Sequence, residues 1–258
     1  MNSSFPAGGA FTLTVGGTLT LDGAITADGG EARGSGSTYD GTSAGAGGTI
    51  NVTAGALAGE GKITADGGCG GAYYAGGAGG GRVSVRLAGA ASTFSDWWTT
   101  NILARGQSLG SYTAKASSAG TVYLQEAANG EAGGLVVIRN DLAIQAAAAN
   151  NNAATRYPGN GDGCDTPAAL KKTSLLVAGA AHVELTDTMR SAALEIESGS
   201  SIDLAGKVFT VNAAKLGERR FATGKYMAGD DAVVGFIMDS VGGGMLVISG
   251  GGFKLLIR

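Results

Sequence analysis

The sequence predicts an all-β fold, a right-handed parallel β-helix (β-solenoid) with long glycine-rich loop insertions and a C-terminal capping segment. Three observations predict it. Apolar and polar residues alternate over short segments, as in strands that bury one face. Related segments recur along the chain with variable spacers, which is typical of a repeat architecture. Glycine accounts for 48 of the 258 residues and proline for only 3, without a Gly-X-Y period, so collagen is excluded.

The first repeat unit lies within residues 17–30. It contains two short alternating segments, one with Leu19 and Leu21 and one with Ile25 and Ala27. An Asp-Gly pair separates the segments, and a second Asp followed by two glycines ends the unit. Two strands of this size cannot bury their own apolar face, so the unit is stable only if copies of it stack.

Copies of both segments follow in the chain. The hexapeptide Ile25–Gly30 recurs without change as Ile63–Gly68. The opening segment recurs as Gly48–Val52, Gly81–Val85 and Gly120–Leu124. We therefore expect two inward-facing columns of apolar side chains, with one member of each column per coil. The first column is predicted to contain Leu19, Ile50, Val83 and Val122, and the second Ile25, Ile63 and Ile102.

The period shortens in the second half of the chain. Four apolar residues recur after 19 positions, so that Leu175, Val177, Val183 and Leu185 correspond to Leu194, Ile196, Ile202 and Leu204. We predict a parallel β-helix over residues 1–214 and a C-terminal β cap over residues 215–258, where the pattern breaks and charge increases. At the other end, Phe11–Val15 already has the pattern of a coil, so flanking domains of a longer chain are expected.

Composition excludes several classes of function. Only 15% of the residues are charged and the net charge is −3, which provides no basic surface for nucleic acid. No apolar run reaches about 18 residues, so no membrane span is expected. The two cysteines, Cys69 and Cys164, are compatible with one disulfide or with two free thiols, and the sequence leaves both open.

Several segments together resemble the glycine-rich parallel β-helix repeat region of large extracellular bacterial surface proteins of the autotransporter or adhesin type. These segments are Gly47–Val52, Ile63–Gly68, Gly79–Val85, Ala119–Leu124 and Leu135–Asn140. In addition, Leu194–Val211 and Ala222–Tyr226 are similar to the end of autotransporter-type β-helices. The resemblance implies a parallel β-helix at an extracellular or cell-surface location, and it brings no catalytic residue with it.

Three residues are weak catalytic candidates. Asp28 and Asp66 occupy equivalent positions in the repeat, and Arg105 is the next member of their column. Neighbouring strands lie about 4.8 Å apart, so the two carboxylates are expected to be close. Such a pair suits a retaining glycosidase, whose two carboxyl groups lie about 5–5.5 Å apart, or a Ca²⁺ site. Alternatively, each aspartate caps a turn through its side chain, which we favour because recurring residues usually serve the repeat.

A second group of oxygen donors lies in the longest irregular segment. Asn160, Asp162 and Asp165 partly match a calcium loop, but the bidentate glutamate of such loops is missing. These residues are weak metal candidates, and we therefore expect no cofactor. If they did bind an ion, it would be Ca²⁺. His182, the single histidine, alternates with the inward Val183 and is expected at the surface.

Aromatic residues in the insertions are the candidate ligand-binding residues: Tyr39, Tyr73, Tyr74, Trp97 and Trp98. Exposed aromatic rings stack on sugars, because each ring has an apolar face and a polar edge. A polysaccharide or a host or matrix glycan is therefore the expected partner. Alternatively, these side chains fold back and cover the edge of the coils.

Two classes of function remain. The first is an extracellular structural or adhesin-like module that contacts glycans through its aromatic loops and catalyses nothing. The alternative is a polysaccharide-degrading enzyme, a glycoside hydrolase or a polysaccharide lyase, that acts in a groove along the β-helix. Such an enzyme needs acidic residues, or Lys or Arg with Tyr, that converge on one face, and only the column of Asp28, Asp66 and Arg105 approaches this. The sequence therefore favours the non-catalytic module.

Overall fold

A computed structural model describes residues 5–32, 44–70, 77–107, 117–130, 133–141, 153–158 and 169–250. The protein is a parallel β-solenoid of about 5 turns, with 47% of its residues in strands and 6% in helices. The predicted all-β solenoid is therefore confirmed. None of the helices in these ranges is long and apolar enough to cross a membrane.

Strands account for most of the described residues, and the helical segments are short. The strands are β1 (Ala10–Thr20), β2 (Ala24–Thr26), β3 (Thr49–Ala58), β4 (Lys62–Thr64), β5 (Arg82–Leu87), β6 (Ile102–Leu103), β7 (Thr121–Glu126), β8 (Gly134–Arg139), β9 (Thr155–Tyr157), β10 (Thr173–Ala178), β11 (His182–Leu185), β12 (Met189–Ile196), β13 (Ser201–Asp203), β14 (Val208–Leu216), β15 (Arg219–Phe221), β16 (Gly224–Tyr226), β17 (Ile237–Met238) and β18 (Met245–Ile248). Within the described ranges, one α-helix, α1 (Asp96–Asn101), and two 3₁₀ turns, Ala127–Asn129 and Ala169–Lys172, lie between them.

The strands form three sheets. The large sheet has 11 strands in the order β1-β3-β5-β7-β8-β10-β12-β14-β18-β16, with β15 also paired to β14. A sheet of three strands, β2-β4-β6, completes the coils of the N-terminal half. A sheet of four strands, β17-β13-β11-β9, completes those of the C-terminal half. Most coils therefore contribute one strand to the large sheet and one to a small sheet, whereas β7 is followed directly by β8 of the large sheet.

The register of the N-terminal coils confirms most of the predicted columns. Ile50 pairs with Val83 and Val83 with Val122 in the large sheet. Ile63 pairs with Ile25 on one side and with Ile102 on the other, as predicted. At 0% exposure, the side chain of Ile63 lies fully inside the stack.

The predicted position of Leu19 in the first column is wrong. Leu19 pairs with Leu57, and the partner of Ile50 is Phe11. The reason is an irregularity in β1 between Val15 and Thr18, which separates two alternating stretches of one strand. The opening segment of the first coil is therefore the earlier stretch, and Leu19 belongs to its continuation.

In the C-terminal half, the pairs that the 19-residue period predicts are present. Leu175 pairs with Leu194, and Val183 pairs with Ile202, in parallel register. The stack does not, however, run in one direction throughout. Strand β8 pairs with β7 in antiparallel orientation and with β10 in parallel orientation. The direction of the large sheet therefore reverses between the two halves of the solenoid.

The two halves bury their cores on opposite faces of the large sheet. Val137, Leu176 and Ala178 belong to the N-terminal core, together with Val122 and Leu124 of β7. The intervening residues of β8 and β10 belong to the C-terminal core: Val136, Ile138, Leu175 and Val177. Because both faces of β8 and β10 are buried, their apolar residues are consecutive and do not alternate with polar ones.

The two ends of the solenoid differ. At the C-terminal end, β15 and β16 add antiparallel strands to the large sheet, while β17 and β18 still pair in parallel with β13 and β14. Parallel pairing therefore reaches Ile248, within the segment predicted as the C-terminal cap. At the N-terminal end, β1 and β2 are the terminal strands of their sheets within the described ranges.

Candidate functional site

The predicted catalytic residues lie at one corner of successive coils, where β2, β4 and β6 end. Asp28 follows β2, is exposed, and accepts two hydrogen bonds from the next coil. Its Oδ1 accepts the backbone N–H of Asp66 at 2.7 Å, and its Oδ2 accepts the hydroxyl of Thr64 at 3.0 Å. The carboxylate of Asp28 therefore joins the first coil to the second.

The carboxylate of Asp66 makes the equivalent contact one coil further on. Its Oδ1 accepts the backbone N–H of Arg105 at 2.6 Å, and its Oδ2 accepts Nη2 at 2.6 Å and Nε at 3.1 Å from the same guanidinium. Burial lowers the pKa of Arg105, but the hydrogen bond to Asp66 and the charge of Asp66 outweigh it and raise the pKa above its ordinary value. Both oxygens of Asp66, which is 6% exposed, are engaged within the fold.

Ion pairs continue from this corner across the reversal. Nη1 of Arg105 lies 3.7 Å from Asp141, which also lies 3.7 Å from Nη1 of Arg139. Arg139 in turn lies 3.6 Å from Glu197 in the C-terminal half. Each of these contacts is long and partly exposed, so each contributes little by itself. Together they place alternating charges along the seam between the two halves.

Asn140 ends the column, and it is not among the site residues predicted from the sequence. Its side chain is in the buried part of the seam, at 1% residue exposure. Its Oδ1 accepts the backbone N–H of Gly106 at 2.9 Å, and its Nδ2 donates to the carbonyl of Ser117 at 3.1 Å. One sequence signal could have identified Asn140: it directly follows a strand that is apolar on both faces. A buried amide at such a position needs hydrogen-bond partners from the backbone.

Backbone hydrogen bonds beside this corner close the base of each insertion. Gly45 donates to Gly30 at 3.0 Å, Ala78 to Gly68 at 3.1 Å, and Ser117 to Gln107 at 3.2 Å. The bases are also bonded to each other, because Gly68 donates to Gly45 at 2.8 Å and Gln107 to Ala78 at 3.0 Å. The three insertions therefore leave successive coils at one corner of the solenoid.

Two glycines explain how the bases come so close. A Cβ on Gly29 would lie 1.8 Å from the carbonyl oxygen of Gly45, and one on Gly67 would lie 2.0 Å from that of Ala78. Neither distance is compatible with a side chain, and the obstructing atoms are backbone. The close packing of the loop bases therefore requires the first glycine of each Asp-Gly-Gly.

The aromatic candidates divide into two groups. Tyr39, Tyr73 and Tyr74 lie outside the described residues. Trp97 and Trp98 lie on α1, where Trp98 is 2% exposed and packs in the N-terminal core. Trp97 is 43% exposed, and its Nε1 donates to the carbonyl of Gly61 at 2.9 Å. Trp98 therefore covers the coil edge, as in the alternative interpretation, and Trp97 retains an exposed ring face.

The metal candidates Asn160, Asp162 and Asp165 also lie outside the described residues, as does Cys164. Within the described ranges, no group of three or more His, Cys, Asp and Glu residues is arranged to hold a metal ion. His182 lies on β11, and its Nδ1 is 2.6 Å from the hydroxyl of Ser201, its neighbour one coil on. This pair joins two coils, like the aspartates of the N-terminal half.

Comparison with known proteins gives no assignment. No protein-family model matches the chain, and no curated protein and no solved structure matches it significantly.

Proposed function

We propose that the chain is an extracellular structural or adhesin-like module, in which a rigid β-solenoid displays a row of loops that contact glycans. The observation that supports this most is the common corner of the three insertions. Their bases, at Gly30–Gly45, Gly68–Ala78 and Gln107–Ser117, are hydrogen-bonded within and between coils. A scaffold of this kind spaces its loops about one strand separation apart, roughly 4.8 Å, along the solenoid axis.

The contacts of the acidic column support a scaffold and not an enzyme. A nucleophile or general acid needs an oxygen that is accessible to the substrate. The oxygens of Asp66 are instead occupied by the backbone and the guanidinium of Arg105. The carboxylate of Asp28 is exposed but accepts two hydrogen bonds from the second coil. Both aspartates therefore serve the connection between coils.

Aromatic residues in the first two insertions supply the proposed contact with sugars. Tyr39 belongs to the first insertion, and Tyr73 and Tyr74 to the second. The extracellular location rests on the resemblance to bacterial surface repeat proteins and on the glycine-rich, weakly charged composition.

A glycan array with the purified chain tests this proposal. We expect binding that falls at least about tenfold in Tyr39→Ser and in Tyr73→Ser, each with an unchanged Tm. Tyr226→Ser is the matched control, because Tyr226 lies in β16 at the other end of the solenoid.

The same preparation is assayed for released reducing ends and unsaturated uronates on plant, algal and bacterial polysaccharides. Turnover that disappears in Asp66→Asn, or an array without any binding, would contradict the proposal. Binding that is lost equally in Tyr226→Ser would also contradict it, since the loops would then not be the contact.

A further inference from the structure

The N-terminal end of the solenoid is an open sheet edge. Strand β1 extends over 11 residues, carries no charge, and is the terminal strand of the large sheet. Phe11 is 43% exposed there, although its partner one coil on, Ile50, is 1% exposed. Natural edges of this length usually carry charges or a covering element, and neither is found here among the described residues.

The glycines of the second coil show where the backbone of the preceding coil passes too close for a side chain. A Cβ on Gly48 would lie 2.1 Å from the carbonyl oxygen of Gly9, and one on Gly61 would lie 2.4 Å from that of Gly23. The same relation holds one coil later, where a Cβ on Gly81 would lie 2.0 Å from the carbonyl oxygen of Gly48. At these positions, glycine is required because the previous coil passes directly beside it.

Four glycines of the first coil occupy the same columns, but nothing lies beside them. A Cβ on Gly9, Gly16, Gly17 or Gly23 would have no atom within 4 Å. None of the four has a positive φ, so the backbone conformation does not require glycine either. Glycine lowers strand stability when it has no such role. These four glycines therefore fit a backbone that approaches the open face from outside.

The backbone hydrogen bonds of the acidic column are a second, independent indication of a coil on the open face. The backbone N–H of Asp66 is accepted by Asp28 of the preceding coil, and that of Arg105 by Asp66. For the N–H of Asp28, the described part of the chain supplies no acceptor. An aspartate in a coil on the open face would complete the column.

We propose that the open face formed by β1 and β2 binds a further coil of the same repeat pattern, Gly-Gly-x-Ile-x-Val followed by Ile-x-Ala-Asp, in parallel register. The docked segment pairs with the edges of β1 and β2, places its apolar residues on Phe11 and Ile25, and brings its aspartate to the N–H of Asp28. The docked segment does not continue the row of backbone hydrogen bonds between the bases of the insertions. Pro6 lies at that corner and has no N–H to donate.

A second copy of the chain fits this face less well. Two copies that meet through the same face are related by a two-fold axis, which makes their β1 strands antiparallel. The antiparallel step seen in this sheet, between β7 and β8, pairs Val122 with Val137 and Leu124 with Leu135 and aligns no glycines. The parallel steps do align them, as Gly48 with Gly81 shows. The glycines at the open face therefore favour a parallel coil.

Binding of a labelled peptide with the sequence of residues 47–66 tests the proposal on the whole chain. We expect saturable binding, measured by fluorescence anisotropy, and none with a scrambled peptide. Gly9→Val should weaken it at least tenfold and leave the Tm unchanged, because its side chain points into empty space in the free chain. Thr12→Val is the matched control on the solvent face of β1 and should bind like the wild type.

Three outcomes would overturn the proposal. The peptide does not bind, or it binds Gly9→Val as tightly as the wild type. Alternatively, light scattering shows a dimer of the wild type that Gly9→Val dissociates and the peptide does not, which would identify a second copy as the occupant. Failure of glycan binding leaves these measurements unaffected, since the loops and the open face are different surfaces.

Discussion

Replacing Asp66 by alanine tests whether the acidic column holds the coils together. The change removes the acceptor of one backbone N–H and two guanidinium hydrogen bonds of Arg105. Side-chain exposure is 9% for Asp66 and 22% for Arg105, so the guanidinium recovers part of its hydration in the variant. Breaking a buried ion pair costs about 3–5 kcal/mol, and we expect about 3 kcal/mol here because Arg105 is partly exposed. For a chain of this size that corresponds to a Tm lower by about 6–12 °C.

Two further variants separate the contribution of the ion pair from that of the backbone hydrogen bond. The stability of all three variants is measured by thermal and urea unfolding. Asp66→Asn keeps an acceptor for the backbone N–H of Arg105 but loses the ion pair, so its cost should be about half. Asp28→Ala removes two hydrogen bonds from an exposed carboxylate and should cost about 1–2 kcal/mol. If Asp66→Ala unfolds like the wild type, the carboxylate does not join the coils, and the structural interpretation of the column is refuted.

Three further changes test the core, the C-terminal loop and the C-terminal end. Ile63→Asp buries an unpaired charge between two coils and should abolish the cooperative transition seen by circular dichroism, whereas Ile25→Asp at the half-buried end should retain one. Desolvation raises the pKa of Asp239, but hydrogen bonds from the backbone N–H groups of Gly244, Gly206, Gly242 and Val241 outweigh it, so the pKa is lowered. Its stabilisation is therefore complete above the unfolded pKa of about 3.9 and is lost as pH falls through the lower folded value, so Asp239→Asn should flatten the Tm profile between about pH 2 and 5. Removal of residues 217–258 uncovers β13 and β14 and should produce aggregates in light scattering, and a monomeric truncated chain would contradict their role as a cover.

Repetition made the middle coils predictable. Two identical hexapeptides, at residues 25–30 and 63–68, leave a single register for their strands, and the observed pairing of Ile25 with Ile63 follows it. The first strand was harder, because the pattern at residue 17 resembles the opening segment as closely as the true one at Gly9 does. Local alternation does not reveal the irregularity in β1. A Gly-Gly pair precedes both stretches, at residues 8–9 and at residues 16–17, so it does not distinguish them either.

The repeat leads one to expect a parallel step at every coil, so the reversal between β7 and β8 was not predicted. The signals of it are the short connection from Glu126 to Gly134 and a change in which faces are buried. Leu135 to Ile138 in β8 and Leu175 to Ala178 in β10 are consecutive apolar residues, unlike the alternating segments before them. Such runs are typical of strands with both faces covered. In the candidate site, the recurrence of the aspartates favoured a structural role as turn caps, and their side-chain hydrogen bonds go to the next coil. Asn140 occurs only once, so the repeat could not identify it.

Asn140 lies where the stack reverses, and its chemistry follows from that position. Within the stack, an aspartate suffices at this corner because it only has to accept N–H groups of the next coil. At the reversal no further coil follows, so one side chain must accept from Gly106 and also donate to the carbonyl of Ser117. The amide of Asn140 does both, whereas an ionised carboxylate can only accept.

Asn140→Asp therefore places a carboxylate against a carbonyl at a site that is 1% exposed. We expect a cost of about 2–4 kcal/mol at pH 7. Burial raises the pKa of such a carboxyl, and the protonated form donates again, so the deficit in Tm should shrink as pH falls towards about 5. Asn140→Ala has no such proton, and its deficit should not depend on pH. If the Tm deficits of the two variants depend on pH in the same way, donation to Ser117 does not contribute to stability. The presence of an asparagine at the reversal would then need another explanation.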